Sequence, residues 1–277
     1  MYGESVSPLA MLLPVVVYPL LAAVVLGLVL FQFEHKQLQK PAFWLATGLI
    51  WLAWITAAQG IHTRWQLPPR QALDWLLIAS LVPVLATRLP KEYRMSGFGV
   101  ASMLSFALVA QPLLGRMSTI EIFTQVVGWL LFCGMAISAS DRQQSAFRFP
   151  VSQIVMIVTS AVVIGISSSL NTAQMTGSLA VVLGVIWLLN RIVALSAQSI
   201  LAVTQATMAL WLFILAYAFY YADVSIYALM LLALPLLIKW TDNPGDTWWK
   251  KIATTVAISL LPGVLAIWWV WPEQSLY

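Results

Sequence analysis

Few side chains in this sequence can do chemistry. There are two histidines, His35 and His62, and one cysteine, Cys133, among 277 residues. A membrane-length apolar run separates the histidines, so they are expected on opposite sides of a bilayer. They cannot share a haem or a metal ion, which removes the bis-histidine cytochrome reading. Cys133 lies in Leu130-Leu131-Phe132-Cys133-Gly134 and reads as a small buried hydrophobe. A lone cysteine makes no intrachain disulfide and no cysteine metal site. No metal site and no cofactor is expected.

The carboxylates are as sparse. Asp74, Glu121 and Asp223 each fall within about three residues of an apolar run's end, where water or headgroups are in reach. They read as interfacial. Asn190-Arg191 differs, because Arg191 is about four residues inside an apolar run. A guanidinium stays charged at any working pH, so it must snorkel, pair or line water. The amides of Gln198 and Gln205 are its expected acceptors. Asn190, Arg191, Gln198 and Gln205 therefore form the candidate polar site; the bland alternative is that Arg191 ends a helix among headgroups. Gln125 and Asn190 are the polar side chains nearest mid-helix and suit interhelical hydrogen bonds. No H-E-x-x-H, G-x-S-x-G or P-loop motif occurs, so no catalytic residue is assigned and an enzyme is not expected.

The elements that must position these residues follow from composition. The chain is 61% apolar and 9% charged, with mean hydropathy +0.88. Soluble domains run at about 25% charged, so lipid must solvate much of this surface. That excludes a cytosolic enzyme, a disulfide scaffold and a nucleic-acid reader. A membrane helix needs about 20 apolar residues. Ten runs qualify: 9–33, 42–60, 72–89, 97–114, 120–139, 151–170, 176–195, 200–221, 224–239 and 252–271. Between the seventh and eighth only Asn190, Arg191 and Ser196-Ala197-Gln198-Ser199 interrupt 46 residues. One helix of that length far exceeds a core of about 30 Å, so a turn must lie there. The ninth run is short and fits a barely tilted or re-entrant segment. Unbroken apolar runs argue against a β-barrel, whose strands alternate.

Residues 1–8 carry Glu4 and no Lys or Arg, and the first run exceeds a signal-peptide core, so it is expected to remain as a membrane helix. With the N-terminus outside, eleven Lys and Arg fall on inner loops and Arg64, Arg70 and Arg116 on outer ones. The positive-inside rule selects that orientation, with both termini periplasmic in a bacterial inner membrane. Trp248-Trp249 and Trp268-Trp269-Trp271 then anchor the two interfaces.

Ten helices also divide as five plus five. An odd unit duplicated would insert upside down, giving the inverted repeat of many transporters. Gly48-Leu49-Ile50-Trp51-Leu52 and Gly184-Val185-Ile186-Trp187-Leu188 match in corresponding helices. Against it, Pro14 and Pro19 of the first helix have no counterpart in the sixth. Small residues four apart, such as Ala23/Gly27 and Ala161/Gly165, mark close helix packing. The expectation is an all-α polytopic membrane protein, one domain over 1–277 with candidate halves 1–140 and 141–277. Two functions suit it: a membrane subunit or scaffold of a larger inner-membrane assembly without its own redox cofactor, or a small-molecule or lipid permease or flippase. The lack of a mid-membrane carboxylate argues against proton or sodium coupling. The expected partners are lipid and other membrane subunits, not nucleic acid.

Overall fold

The computed structural model describes residues 12–271 apart from 64, 67, 144, 168, 243 and 244. Glu4, Arg64 and both chain ends lie outside the described residues. The described chain is all-α. Among the described residues, eight helices are long and apolar enough to cross a membrane, and two shorter apolar segments complete the order. The protein is an all-α, multi-pass membrane bundle.

The eight long helices are the first, Leu13–His35, and the second, Gln39–Ile61; the fourth, Lys91–Leu114, and fifth, Thr119–Asp141; the sixth, Arg148–Ile166, seventh, Leu170–Val193, and eighth, Ala197–Tyr221; and the tenth, Trp248–Val270. The eighth is the hub. It packs on the second to seventh helices, and 89% of its most apolar stretch is buried. The first, fifth and tenth bury only 22% each. Their outward side chains, including Val25, Leu131 and Leu261, suit hydrocarbon, where an exposed apolar surface costs nothing. The five terminal tryptophans are also exposed, as interfacial anchors require.

The third and ninth segments depart from a continuous helix. The third, expected over 72–89, is helical over Ala72–Ala79 and Leu81–Ala86. Pro83 has no N–H, so the Ala79 carbonyl loses its i+4 donor. Ser105 Oγ of the fourth helix replaces it at 2.9 Å. Trp51 Nε1 and Ser80 Oγ donate to the Leu77 carbonyl at 3.2 and 3.1 Å. Each carbonyl at the break thus finds a donor, as a lipid interior demands.

The ninth, expected over 224–239, is α-helical over Ile226–Ala233 and a 3₁₀ turn over Leu234–Leu237. Extended chain follows. Eight helical, four 3₁₀ and three extended residues rise about 30 Å together, enough for a crossing. Gln143 satisfies the extended piece. Its Nε2 donates to the Ala139 and Ile238 carbonyls at 3.0 and 3.1 Å, and its Oε1 accepts from Trp240 N–H at 2.9 Å.

The join between seventh and eighth helices is equally definite. Ala194 turns left-handed at φ 52° and ends the seventh; Ser196 caps the eighth by accepting from Ser199 N–H at 3.2 Å. The preceding boundary corrects the reading of the sequence. The sixth and seventh runs, expected over 151–170 and 176–195 with the polar pair Asn171-Thr172 as their break, join earlier: the sixth helix ends at Ile166, and Asn171-Thr172 lies in the first turn of the seventh, where Thr172 and Ser169 hydroxyls pair at 2.6 Å.

Contacts between distant loops place five of them at one end. Glu34 meets Ser196, Arg94 meets Asp141, and Arg148 meets Asp246. These are the Lys- and Arg-rich loops, and this end is called the basic face below. His35 lies there, and His62, beyond the second helix, lies at the opposite face. The short segments are third and ninth, whereas a five-plus-five repeat pairs the third with the eighth. The eighth is the longest and most buried helix, so the two halves differ there.

Candidate functional site

At the basic face, the loop between first and second helices folds over the start of the eighth. The Glu34 carboxylate accepts from Ser196 N–H at 2.9 Å, from Ser196 Oγ at 2.7 Å and from Ser199 Oγ. A carboxylate on a helix N-terminus satisfies orphan N–H groups and meets the positive end of the dipole. The loop turns through Gln37 at φ 57°. Glu34, Phe43, Ser196, Gln198 and Ser199 then line a pocket of about 170 Å³.

Beside this pocket is Arg88, partly buried. Its Nη2 donates to the Ala202 carbonyl at 3.2 Å and to Gln205 Oε1 at 2.9 Å. Its guanidinium lies 4.5 Å from the Phe43 ring centroid, a cation–π contact. Gln205 Nε2 donates in turn to Asp141 at 3.0 Å, and Arg94 pairs with the same carboxylate oxygen at 2.6 Å. One network therefore ties the first four helices, the fifth and the eighth at this face.

The four residues singled out by sequence are not brought together. Gln198 lines the pocket, and Gln205 belongs to the Arg88 network. Arg191 is exposed, with its guanidinium 5.2 Å over the Phe147 ring, and among the described residues it has no hydrogen-bonded acceptor. Gln205, its expected acceptor, is held by Arg88. Asn190 is partly buried, as is Gln125, and neither side chain makes a hydrogen bond among the described residues.

Asp74 also departs from expectation. It is not interfacial; its side chain is 1% exposed. His62 Nε2 lies 2.8 Å from one oxygen, and Arg70 and Gln71 N–H donate to the other at 3.0 and 3.1 Å. Enclosed in this way, the carboxylate finds its partners within the protein.

A second charge cluster holds the loop before the tenth helix. Asp246 pairs with Arg148 at 2.6 Å and with Lys250 at 3.0 Å. The Lys250 bond, with the charges of Lys250, Arg148 and Lys251, holds the Asp246 carboxyl below its ordinary value against the opposing effect of burial. Deep in the bundle, Gln153 donates to the Thr204 carbonyl at 3.0 Å while its Oε1 stays unpartnered among the described residues. Spacing marks Arg88 only as a run-end charge able to snorkel, and it does not single out Glu34 or Gln153. Gln153 was detectable, as an amide inside an apolar run that contains no charge. The described residues contain no cluster of three or more His, Cys, Asp or Glu suited to a metal. Cys133 is buried and unpaired. No family model, no curated protein and no solved structure matches this chain, so any functional reading rests on these residues.

Proposed function

We propose that this membrane bundle is an integral subunit or scaffold of a larger inner-membrane assembly, with no redox cofactor of its own and no catalytic role. The closed interior carries this reading. The space among Gln153, Met156, Ile157, Thr207, Met208 and Trp211 in the middle of the bundle has no room for a water molecule. The eighth helix fills the centre, and polar groups near it, such as Trp211 Nε1 on Ser160 Oγ at 3.1 Å, are spent on packing. The first, fifth and tenth helices offer long apolar faces for partner helices and lipid. The charge distribution supports the basic face in the cytoplasm of a bacterial cell, with both termini periplasmic. The test is purification from native membranes in mild detergent. An equimolar membrane partner, cross-linking to Leu131 or Leu261 positions and surviving gel filtration, is expected. A partner-free chain that moves a solute in proteoliposomes would overturn the reading.

A permease or flippase is the second reading. The interrupted third and ninth crossings favour it, because discontinuous helices build the sites of many transporters.

A further inference from the structure

Glu34, from the end of the first helix, and Arg88, from the loop after the third segment, clasp successive turns of the eighth helix. Glu34 bonds Ser196 and Ser199. Arg88 bonds Ala202 and Gln205. Their anchor points are about one helical turn, roughly 5 Å, apart along the axis. Phe43 lies between them, lining the pocket and carrying the Arg88 guanidinium on its ring.

Neither charge is neutralised. Among the described residues, no cation lies within ion-pair distance of Glu34 and no carboxylate within that distance of Arg88. Asp141, the nearest acid in the network, is paired with Arg94. Arg88 Nη1 makes no hydrogen bond there and is not sealed from the surface. Glu34 lines the pocket, and Arg88 stands beside it against the Phe43 ring. That pocket opens at the basic face. Its volume of about 170 Å³ equals roughly five or six waters in the liquid.

We propose that this pocket binds a zwitterion carrying a primary ammonium and a phosphate ester, as in an ethanolamine phospholipid headgroup. The ammonium donates to the Glu34 carboxylate and to Gln198, whose amide oxygen accepts, with Phe43 forming the pocket wall beside it. The phosphate faces Arg88 Nη1, with Lys36 and Lys40 exposed in the same loop. A scaffold and a permease can both use such a cradle, so the proposal does not rest on the function proposed above.

The test uses the full chain in phosphatidylcholine nanodiscs doped equally with phosphatidylethanolamine and phosphatidylglycerol, with retained lipid counted by native mass spectrometry. Phosphatidylethanolamine should be retained about tenfold over either other lipid, the worth of one charge-assisted hydrogen bond. Glu34→Gln should remove that preference. Phe43→Leu, which leaves the Glu34 capping bonds intact, should weaken it several-fold, and it decides the matter if Glu34→Gln fails to fold. Arg88→Lys should lower retention of all three phospholipids by removing the planar fork. Displacement of retained lipid by millimolar soluble phosphoethanolamine would keep the site and make the soluble phosphoamine a ligand too; resistance to it would assign the site to the membrane lipid. Equal retention of the three lipids by the unaltered chain, or a preference surviving both Glu34→Gln and Phe43→Leu, would overturn the proposal.

Discussion

Gln143 is the side chain on which the ninth crossing depends. Its amide serves a stretch, half-buried at Ile238 and buried at Trp240, that has no helix to satisfy it, accepting from Trp240 N–H and donating to the Ile238 carbonyl. Gln143→Met keeps nearly the same volume and removes both bonds, so two backbone groups are orphaned. An unsatisfied buried group costs about 1–3 kcal/mol. Interhelical side-chain bonds in membranes average about 0.6 kcal/mol, because the unfolded chain also finds partners. Taking both limits for the two groups, Gln143→Met should cost about 1–6 kcal/mol. Gln143→Ala should cost more, since it also leaves a cavity. The assay is equilibrium unfolding by SDS in mixed micelles, with hydrogen exchange at the Trp240 amide as the local probe. That amide should lose protection in Gln143→Met before the eighth helix does. Stability within about 0.5 kcal/mol of the parent, ordinary for a neutral surface change, and an unchanged Trp240 amide would refute this account.

Three further outcomes follow from the packing and charges. A Cβ at Gly263 would lie 2.5 Å from Thr159 Cγ2 and 2.8 Å from its Cβ, so Gly263→Ala should destabilise the sixth–tenth contact by about 1–3 kcal/mol; thermal unfolding should show partial rescue by Thr159→Ala. Ser105→Ala leaves the Ala79 carbonyl without the donor that Pro83 cannot supply, and should cost about 0.6–2 kcal/mol in the same SDS titration. Asp246 is an acid held below its ordinary value, so it favours the folded loop above pH 3.8 and loses that effect as pH falls through the lower folded value. A nitroxide at Gly245→Cys should therefore gain mobility only in that acid range, and Asp246→Asn should show the mobile spectrum already at pH 7.

The sequence makes the bundle legible because hydrocarbon demands long apolar helices, and hydropathy records that demand directly. The interruptions are half legible. Pro83 announces that the Ala79 carbonyl loses a donor, but nothing local says that Ser105, 26 residues away, supplies another. The start of the seventh helix was misplaced because Asn171-Thr172 looks like a loop, although polar residues are also at home in a first helical turn. Arg191 drew attention because it stands beside Asn190 within an apolar run. Which arginine reaches Gln205 is set by tertiary packing over 117 residues, and it is Arg88. The Glu34 cap on Ser196 spans 162 residues, and no spacing rule reaches that far. Asp74 hid for a related reason: its burial rests on His62, 12 residues back across a loop, and a position at a run's end does not reveal that partner.

The central claim is that ten segments, the two interrupted ones included, each cross the membrane, leaving the basic loops on one side. Single cysteines at positions 91, 116, 223 and 250, in a chain with Cys133→Ser, test it with a membrane-impermeant maleimide on intact cells. Labelling at 116 and 223, with 91 and 250 reacting only after the membrane is breached, is the predicted result. Labelling of 91 without 116 from outside would mean the third segment does not cross. Labelling of 250 together with 223 would mean the same of the ninth, and either result would contradict the account.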